Sequence, residues 1–388
     1  MNIALCHPSV VPARGGCETY ISDLARRLAR DGHAVHLFAS GWDATALPAA
    51  THFYRIARPS GPRSIRAWKF AAACEVALRI AQPDVSIGFD KTWGQDILYP
   101  QGGLHAATNA HNQLKHAGRA SQWIASVGKW FDPANWSYSQ LERKQYFGEH
   151  RPTIVVNSEM VRGHFEQFYG ETPAGIRVLR SAIDPQRFAA DDRLKRRADE
   201  RDRWGVPPAT SIGLFIATNY RLKGLAPLLK ALPHVPRDRD FRLVVVGDPQ
   251  TKPYERLAES LGVANRVSFL GFRKDPKEAY FAADFLVHPT FYDPCSLVVL
   301  EALACGLPVV TTRYNGAAEL LAPSNSVVVN DPHDAKELGA AVARFTEPAV
   351  RLTASASARE AAKAWTFEHH YRGLLTILEE TRAVKRAA

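Results

Sequence analysis

Apolar residues along the chain fall into short runs, separated by longer stretches of helical periodicity. Ile3 to Cys6, AVHLFAS (34–40), VSIGF (85–89) and TIVVNS (153–158) have the length of buried strands. Between the first two, GCETYISDLARRLARDGH predicts an amphipathic helix with Tyr20, Ile21, Leu24 and Leu28 on one face, ended by Gly32. Arg66 to Ala81 predicts another helix, residues 105–150 hold long helical stretches, and RVLRSAID (177–184) reads as an exit strand. A polar, charge-dense segment follows, DDRLKRRADERDRWGVPP. The alternation then restarts. SIGLFIAT, FRLVVVG, RVSFLG, DFLVHPT and PVVTT predict strands. LAPLLKAL, PYERLAESLG, KEAYFAA, SLVVLEALAC, AKELGAAVARF and FEHHYRGLLTILEETRAV predict helices.

Strands alternating with helices over two halves predict an α/β protein of two doubly wound domains. The expected division is 1–183 and 184–388, with a last helix near 366–388 packing back on the N-terminal domain. A chain of 388 residues is long for one core, in keeping with two domains. Ligands of such sheets sit at the carboxyl ends of the strands, here in the cleft between the domains.

Composition narrows the class. The chain is 46% hydrophobic and 23% charged, the profile of a globular enzyme. The net charge of +10 suits nucleotide phosphates, acidic lipids or nucleic acid, or is an arginine-rich surface and nothing more. No nucleic-acid recognition motif is present. Five cysteines without CxxC spacing suggest neither a disulfide framework nor a zinc site, and a reducing cytoplasm fits. The first residues read as a strand, not a signal peptide, and no apolar run approaches the ~20 residues of a membrane span.

Three places could carry chemistry. Gly15 and Gly16, beside Arg14, open a helix after the first strand, where backbone N–H groups can approach an anion. In NYRLKGL (219–225), Arg221 and Lys223 stand at the end of a strand, a placement that suits a pyrophosphate leaving group. In DPCSLVVLEALACGLPVVTT (293–312), a helix starting at Ser296 and Leu297 offers N–H groups to a phosphate. Glu301 inside that helix can accept from a ribose diol, and Asp293 ahead of it from a sugar hydroxyl. Each has a plainer reading: a structural glycine turn, solvated loop charges, an Asx turn before Pro294, or a surface glutamate.

Together these segments, with VVVGD and VSFLGF, make the chain resemble the retaining GT-B glycosyltransferases of family 4 over nearly its whole length. GFDKTWGQDILYPQGG and NYRLKGL are similar to the lipopolysaccharide core glucosyltransferases that add glucose to inner-core heptose. The resemblance implies two Rossmann-like domains facing across a cleft and a nucleotide-sugar donor, a UDP-sugar, held mostly by the C-terminal domain. It places Glu301 on the ribose, Asp293 on donor-sugar hydroxyls, Arg221 and Lys223 on the diphosphate, and Gly15 and Gly16 beside them. The family's first acid is Glu; here it is Asp, one methylene shorter. His105, in QGGLHAA, falls where many members place an active-site histidine. The implied reaction is front-face transfer of a hexose with retention, without metal or other cofactor. The acceptor is expected in the N-terminal domain. Basic, tryptophan-containing stretches there, GPRSIRAWKF and residues 105–150, suit a lipid-linked saccharide on the anionic inner face of the cytoplasmic membrane. Rival readings are a GT-B phosphorylase or epimerase, and a non-catalytic nucleotide-sugar-binding or membrane-docking protein.

Overall fold

The structure, a computed structural model, describes residues 1–12, 15–116, 118, 123, 132–173 and 175–387. Arg14, and Arg119, Lys129 and Trp130 of the basic stretch, lie outside the described residues. The chain divides into two compact units. One comprises Met1–Gln113, Gly118–Arg180 and His370–Ala388, the other Leu114–Ala117 and Ser181–His369. The main change of unit falls after Arg180, slightly ahead of the expected Ile183. Ile183 bridges Thr366 within the second unit.

The first unit is built on a parallel sheet of strands β1 (Asn2–Cys6), β2 (Ala34–Ala39), β3 (His52–Arg55), β4 (Val85–Phe89), β5 (Ile97–Tyr99), β6 (Thr153–Val156) and β7 (Ile176–Val178), ordered 3-2-1-4-5-6-7. β1 runs between β2 and β4, and all of β4 is buried. Helices α1 (Gly16–Arg30), α2 (Arg63–Ala81), α3 (His105–Leu114), α4 (Pro133–Phe147) and α5 (Glu159–Tyr169) follow the strands. α1 buries Ile21, Leu24, Ala25 and Leu28, the face its periodicity predicts.

The second unit repeats the plan. Its strands are β8 (Ser211–Ala217), β9 (Phe241–Gly247), β10 (Val267–Gly271), β11 (Phe285–His288), β12 (Val309–Thr312) and β13 (Ser326–Val329), all parallel in the order 10-9-8-11-12-13. The period of two divides β8 between two cores. Ile212, Leu214 and Ile216 join one, Phe215 and Ala217 the other. Helices α6 (Arg193–Arg203), α7 (Leu225–Ala231), α8 (Lys252–Ser260), α9 (Lys277–Ala282), α10 (Leu297–Ala304), α11 (Ala335–Thr346) and α12 (Pro348–Ala362) belong here. The last helix, α13 (Phe367–Ala387), counts with the first unit from His370 on. Its Arg382 and Arg386 pair with Asp84, and Lys385 with Asp96.

The charge-dense segment, expected to be an intervening stretch, is a correction: most of it is helix α6. Arg201 is only 4% exposed, and Arg197 and Arg201 each reach a carboxylate oxygen of Asp284, whose side chain is 8% exposed, at 2.6 Å. Arginines spaced four apart point the same way from a helix, so charge density here marks a buried ion cluster.

Both sheets have the strand order whose chain direction reverses beside the first strand of the unit. That switch point lies between β1 and β4 in one unit and between β8 and β11 in the other. The loops leaving those strands carry the candidate site residues.

Candidate active site

In the second unit, the loop after β8 turns at Asn219. Its side-chain oxygen accepts the Leu222 N–H at 3.0 Å and its carbonyl accepts the Lys223 N–H at 3.0 Å. Gly224 then takes φ +82 and opens α7. A Cβ there would lie 2.1 Å from the Pro289 carbonyl oxygen, so only glycine lets the loops after β8 and β11 come this close. The Phe291 N–H donates to the Leu222 carbonyl at 3.0 Å, stitching the same two loops.

This stitching brings Lys223 to Asp293. Nζ lies 2.6 Å from Asp293 Oδ2 and 3.1 Å from the Tyr292 carbonyl oxygen. Asp293 is held by its backbone too: its N–H donates to the Tyr314 carbonyl and its carbonyl accepts from Gly316. Burial alone would raise the Asp293 pKa. The Lys223 ammonium and the His288 ring overcome it and hold the carboxyl well below the usual carboxylate range. The plain reading of Asp293 as an Asx-turn residue is thus replaced by an ion pair at the switch point.

His288 was missed by sequence reasoning. It ends β11, is 1% exposed, and places Nε2 3.6 Å from Asp293 Oδ2, with neither ring nitrogen hydrogen-bonded. Burial pushes its pKa down, against the pull of the Asp293 carboxylate beside it. The signal was a polar residue closing the apolar run FLVH.

Ser296 is the N-cap of α10 by position and is buried, and its side chain makes no capping bond. Asn315 instead accepts the Ser296 N–H at 3.3 Å. The first-turn N–H groups that start at Leu297 are therefore not consumed by a hydroxyl cap. Glu301 lies about 6 Å of helix rise beyond Leu297. Its Oε2 accepts the hydroxyl of fully buried Tyr280 at 2.6 Å. Burial pushes the Glu301 carboxyl up, against the Tyr280 hydrogen bond and the Arg187 charge. Half-buried and held from α9, it is no free surface glutamate. Arg221 stands exposed in the loop after β8.

Gly15, Gly16 and His105 belong to the first unit. Gly15 precedes α1 with extended φ 176, a conformation open to any residue, so the pair is not demanded by backbone strain. The case for it is steric: a Cβ on Gly15 would crowd the flexible Glu18 carboxylate at 2.9 Å. His105 opens α3. Its N–H and that of Ala106 donate to the two Glu142 oxygens, at 2.6 and 3.1 Å. Its Nε2 lies 2.9 Å from Asn109 Nδ2 and 3.1 Å from Asn135 Oδ1.

Among the described residues, one group has the spacing to hold a metal: His7, Cys17 and Asp90, with possible ligand atoms within 4.8 Å of one another. Burial and the Asp90 and Glu18 carboxylates push the Cys17 thiol up, which opposes the thiolate that ligation requires.

Lys223 and Asp293 are paired on the loops beyond the carboxyl ends of β8 and β11, and Glu301 lies on the helix that follows. Two family models match the chain: Glycosyltransferase Family 4 over residues 14–187 and Glycosyl transferases group 1 over residues 196–365. A probable transglycosylase of Burkholderia thailandensis is 30% identical over 357 residues, spanning 89% of this chain and 88% of that protein. Lipopolysaccharide glucosyltransferase WaaG of Escherichia coli K12 is 25% identical over 363 residues, 92% of this chain and 93% of that protein. The chain belongs to the family 4 glycosyltransferases. The crystal structure of WaaG superposes with a TM-score of 0.78 at 23% identity, covering 97% of this chain and 99% of that one. Anabaena Alr3699/HepE, solved with UDP-glucose, superposes at 0.69 with 19% identity, covering 97% and 99%. These structures establish the GT-B class of fold for the two Rossmann-like sheets.

Proposed function

We propose that this glycosyltransferase is a retaining, metal-independent hexosyltransferase that moves glucose from UDP-glucose to a hydroxyl of a lipid-linked saccharide such as lipopolysaccharide core heptose. The observation that carries the reading is the Lys223–Asp293 pair at the switch point of the second unit, with Glu301 on the helix that follows. A relative named as a lipopolysaccharide glucosyltransferase and a fold neighbour solved with UDP-glucose support the donor and the acceptor class.

In this reading Glu301 accepts from the ribose diol, the first turn of α10 faces the phosphates, and Asp293 accepts from hexose hydroxyls. Lys223 shares its charge between Asp293 and the diphosphate, and Arg221 adds a second cation. The bond between the sugar C1 and the diphosphate oxygen breaks while C1 bonds the acceptor oxygen on the same face. The acceptor proton passes to the leaving diphosphate, whose charge Lys223 and Arg221 stabilise. With cations and a helix N-terminus supplying positive potential, no metal is required.

Membrane contact is part of the proposal. Among the described residues no helix is long and apolar enough to cross a bilayer. The outer face of α2 exposes Ile65, Lys69, Val76 and Ile80, and α4 exposes Trp136, a mixture that suits an anionic leaflet on the cytoplasmic side.

The reaction is tested with UDP-glucose and a truncated lipopolysaccharide ending in core heptose, in excess EDTA. An α-glucosyl product by NMR at an unchanged rate is expected. A β-linked product, or activity lost to the chelator, contradicts retention or metal independence.

A further inference from the structure

The first unit contains a cavity of about 950 Å³. That is the upper end of the ~300–1,000 Å³ usual for ligand pockets, room for more than a single small ion. Its floor lies at the switch point of the unit: His7 follows β1 and Asp90 follows β4. Asp90 takes φ +56, a left-handed conformation that a non-glycine residue adopts reluctantly. It is held there by the Gln145 amide on its carbonyl and by the Gly102 N–H on Oδ1, at 3.1 Å. His7 Nε2 stands 4.0 Å from its other oxygen. A backbone fixed against preference, under a pocket, marks a site built to hold its carboxylate in place.

The rim is cationic. α2 turns Arg63, Arg66, Ala67 and Phe70 to the cavity, at the i, i+3, i+4 and i+7 spacing of one helix face, and Arg58 joins them from the preceding loop. Of the basic residues of GPRSIRAWKF, Arg63 and Arg66 line the cavity, and Lys69 is not among its lining residues. Lys91 adds a fourth cation, its ammonium 4.2 Å over the Tyr138 ring. Among the described residues Arg58, Arg63 and Arg66 form no ion pair. Of the two lining acids, Glu142 is engaged through both oxygens and Asp90 through Oδ1. Glu142 accepts from the N–H groups of His105 and Ala106 and from the Tyr169 hydroxyl, and Asp90 from the Gly102 N–H.

Neutral sugar hydroxyls need acceptors and single donors, not three guanidinium groups without an ion-pair partner among the described residues. Guanidinium forks match the planar or tetrahedral oxygens of carboxylate and phosphate. We infer that this cavity takes an acceptor saccharide carrying an anionic substituent, a phosphate or carboxylate, which Arg58, Arg63 and Arg66 read while Asp90 and His7 meet its hydroxyls. The inference rests on the transferase reading, because it treats the cavity as the acceptor side. An anionic lipid headgroup offers the same chemistry. Arg58, Arg63 and Arg66 all line the one pocket, which favours the charge borne on the sugar.

The test uses the full chain, as wild type, the double variant Arg63→Ala/Arg66→Ala and the variant Lys69→Ala. Ligand-observed NMR titrations compare mannose 6-phosphate and glucuronate with mannose and glucose. UDP binding is measured in parallel, and flotation on phosphatidylglycerol vesicles separately. Wild type and Lys69→Ala are expected to bind the charged sugars at least tenfold more tightly than the neutral ones. The double variant should lose that preference, bind UDP as wild type does, and still float with the vesicles. Equal binding of charged and neutral sugars by the wild type, or a preference that survives in the double variant, overturns the inference. So does loss of flotation with the sugar preference intact, which would assign the arginines to lipid headgroups. A failure of the transferase reading shows itself differently, as absence of UDP binding in the wild type.

Discussion

Lys223→Ala is expected to lower the turnover number for transfer by about 10²–10³-fold, the effect of deleting one preorganised donor to a developing negative charge. The ammonium lies 2.6 Å from Asp293, so truncation also strands a carboxylate that is only 15% exposed. Removing one partner of a buried pair costs about 3–5 kcal/mol, and the residual exposure puts this pair at the lower end. The two losses separate by pH and by a second substitution. In the wild type the Asp293 pKa is depressed on folding. Its contribution to stability is therefore present above the unfolded value of ~3.9 and is lost as pH falls through the folded value. Lys223→Ala removes that contribution at neutral pH. Adding Asp293→Asn, which takes away the stranded charge, should recover most of the stability in urea and none of the turnover. Recovery of turnover in the double variant would mean that Lys223 serves only to neutralise Asp293.

Gly224→Ala is the second large effect. The residue sits at φ +82, and a Cβ would meet the Pro289 carbonyl oxygen at 2.1 Å. The left-handed backbone alone costs an alanine roughly 1–2 kcal/mol. The carbonyl belongs to the chain leaving β11 and is tied to the neighbouring loop, so it cannot yield as a flexible side chain would. A total near the upper end for single substitutions, about 3 kcal/mol, is expected in urea unfolding. Transfer should fall as well, because Lys223 adjoins the displaced residue. Gly262 provides the control. Its φ is +66 and nothing lies within 4 Å of where a methyl group would sit, so Gly262→Ala should cost only the conformational part. Equal costs at the two sites would show that the approach of the two loops contributes nothing.

The strands at the centre of each sheet were legible because both their faces are covered, which writes an unbroken apolar run into the sequence. VSIGF and FLVH are such runs. Two strands were not legible: β3, HFYR, lies at the sheet edge and is mostly exposed, so it carries no apolar run, and β5 has only three residues. The segment that forms α6 misleads because its charge looks like solvation, whereas Arg197 and Arg201 direct theirs to a largely buried aspartate across the fold. Of the site, Lys223, Asp293 and Glu301 could be picked out from position at strand ends and helix starts. Their pairing could not, since 70 residues separate Lys223 from Asp293 and only the adjacency of β8 and β11 joins them. The support from His288 and Tyr280 was equally hidden. Both lie in largely apolar stretches, FLVH and KEAYFA, where a polar atom aimed inward looks like core.

The claim that the second unit holds a nucleotide sugar through Glu301 is tested most directly by calorimetry with UDP-, GDP- and ADP-sugars on wild type and Glu301→Ala. Glu301 accepts from Tyr280 through Oε2, which holds the carboxylate in one orientation. One UDP-hexose binding the wild type and lost in the variant is the expected result. Binding of none of these donors, or equal binding by the variant, would contradict it.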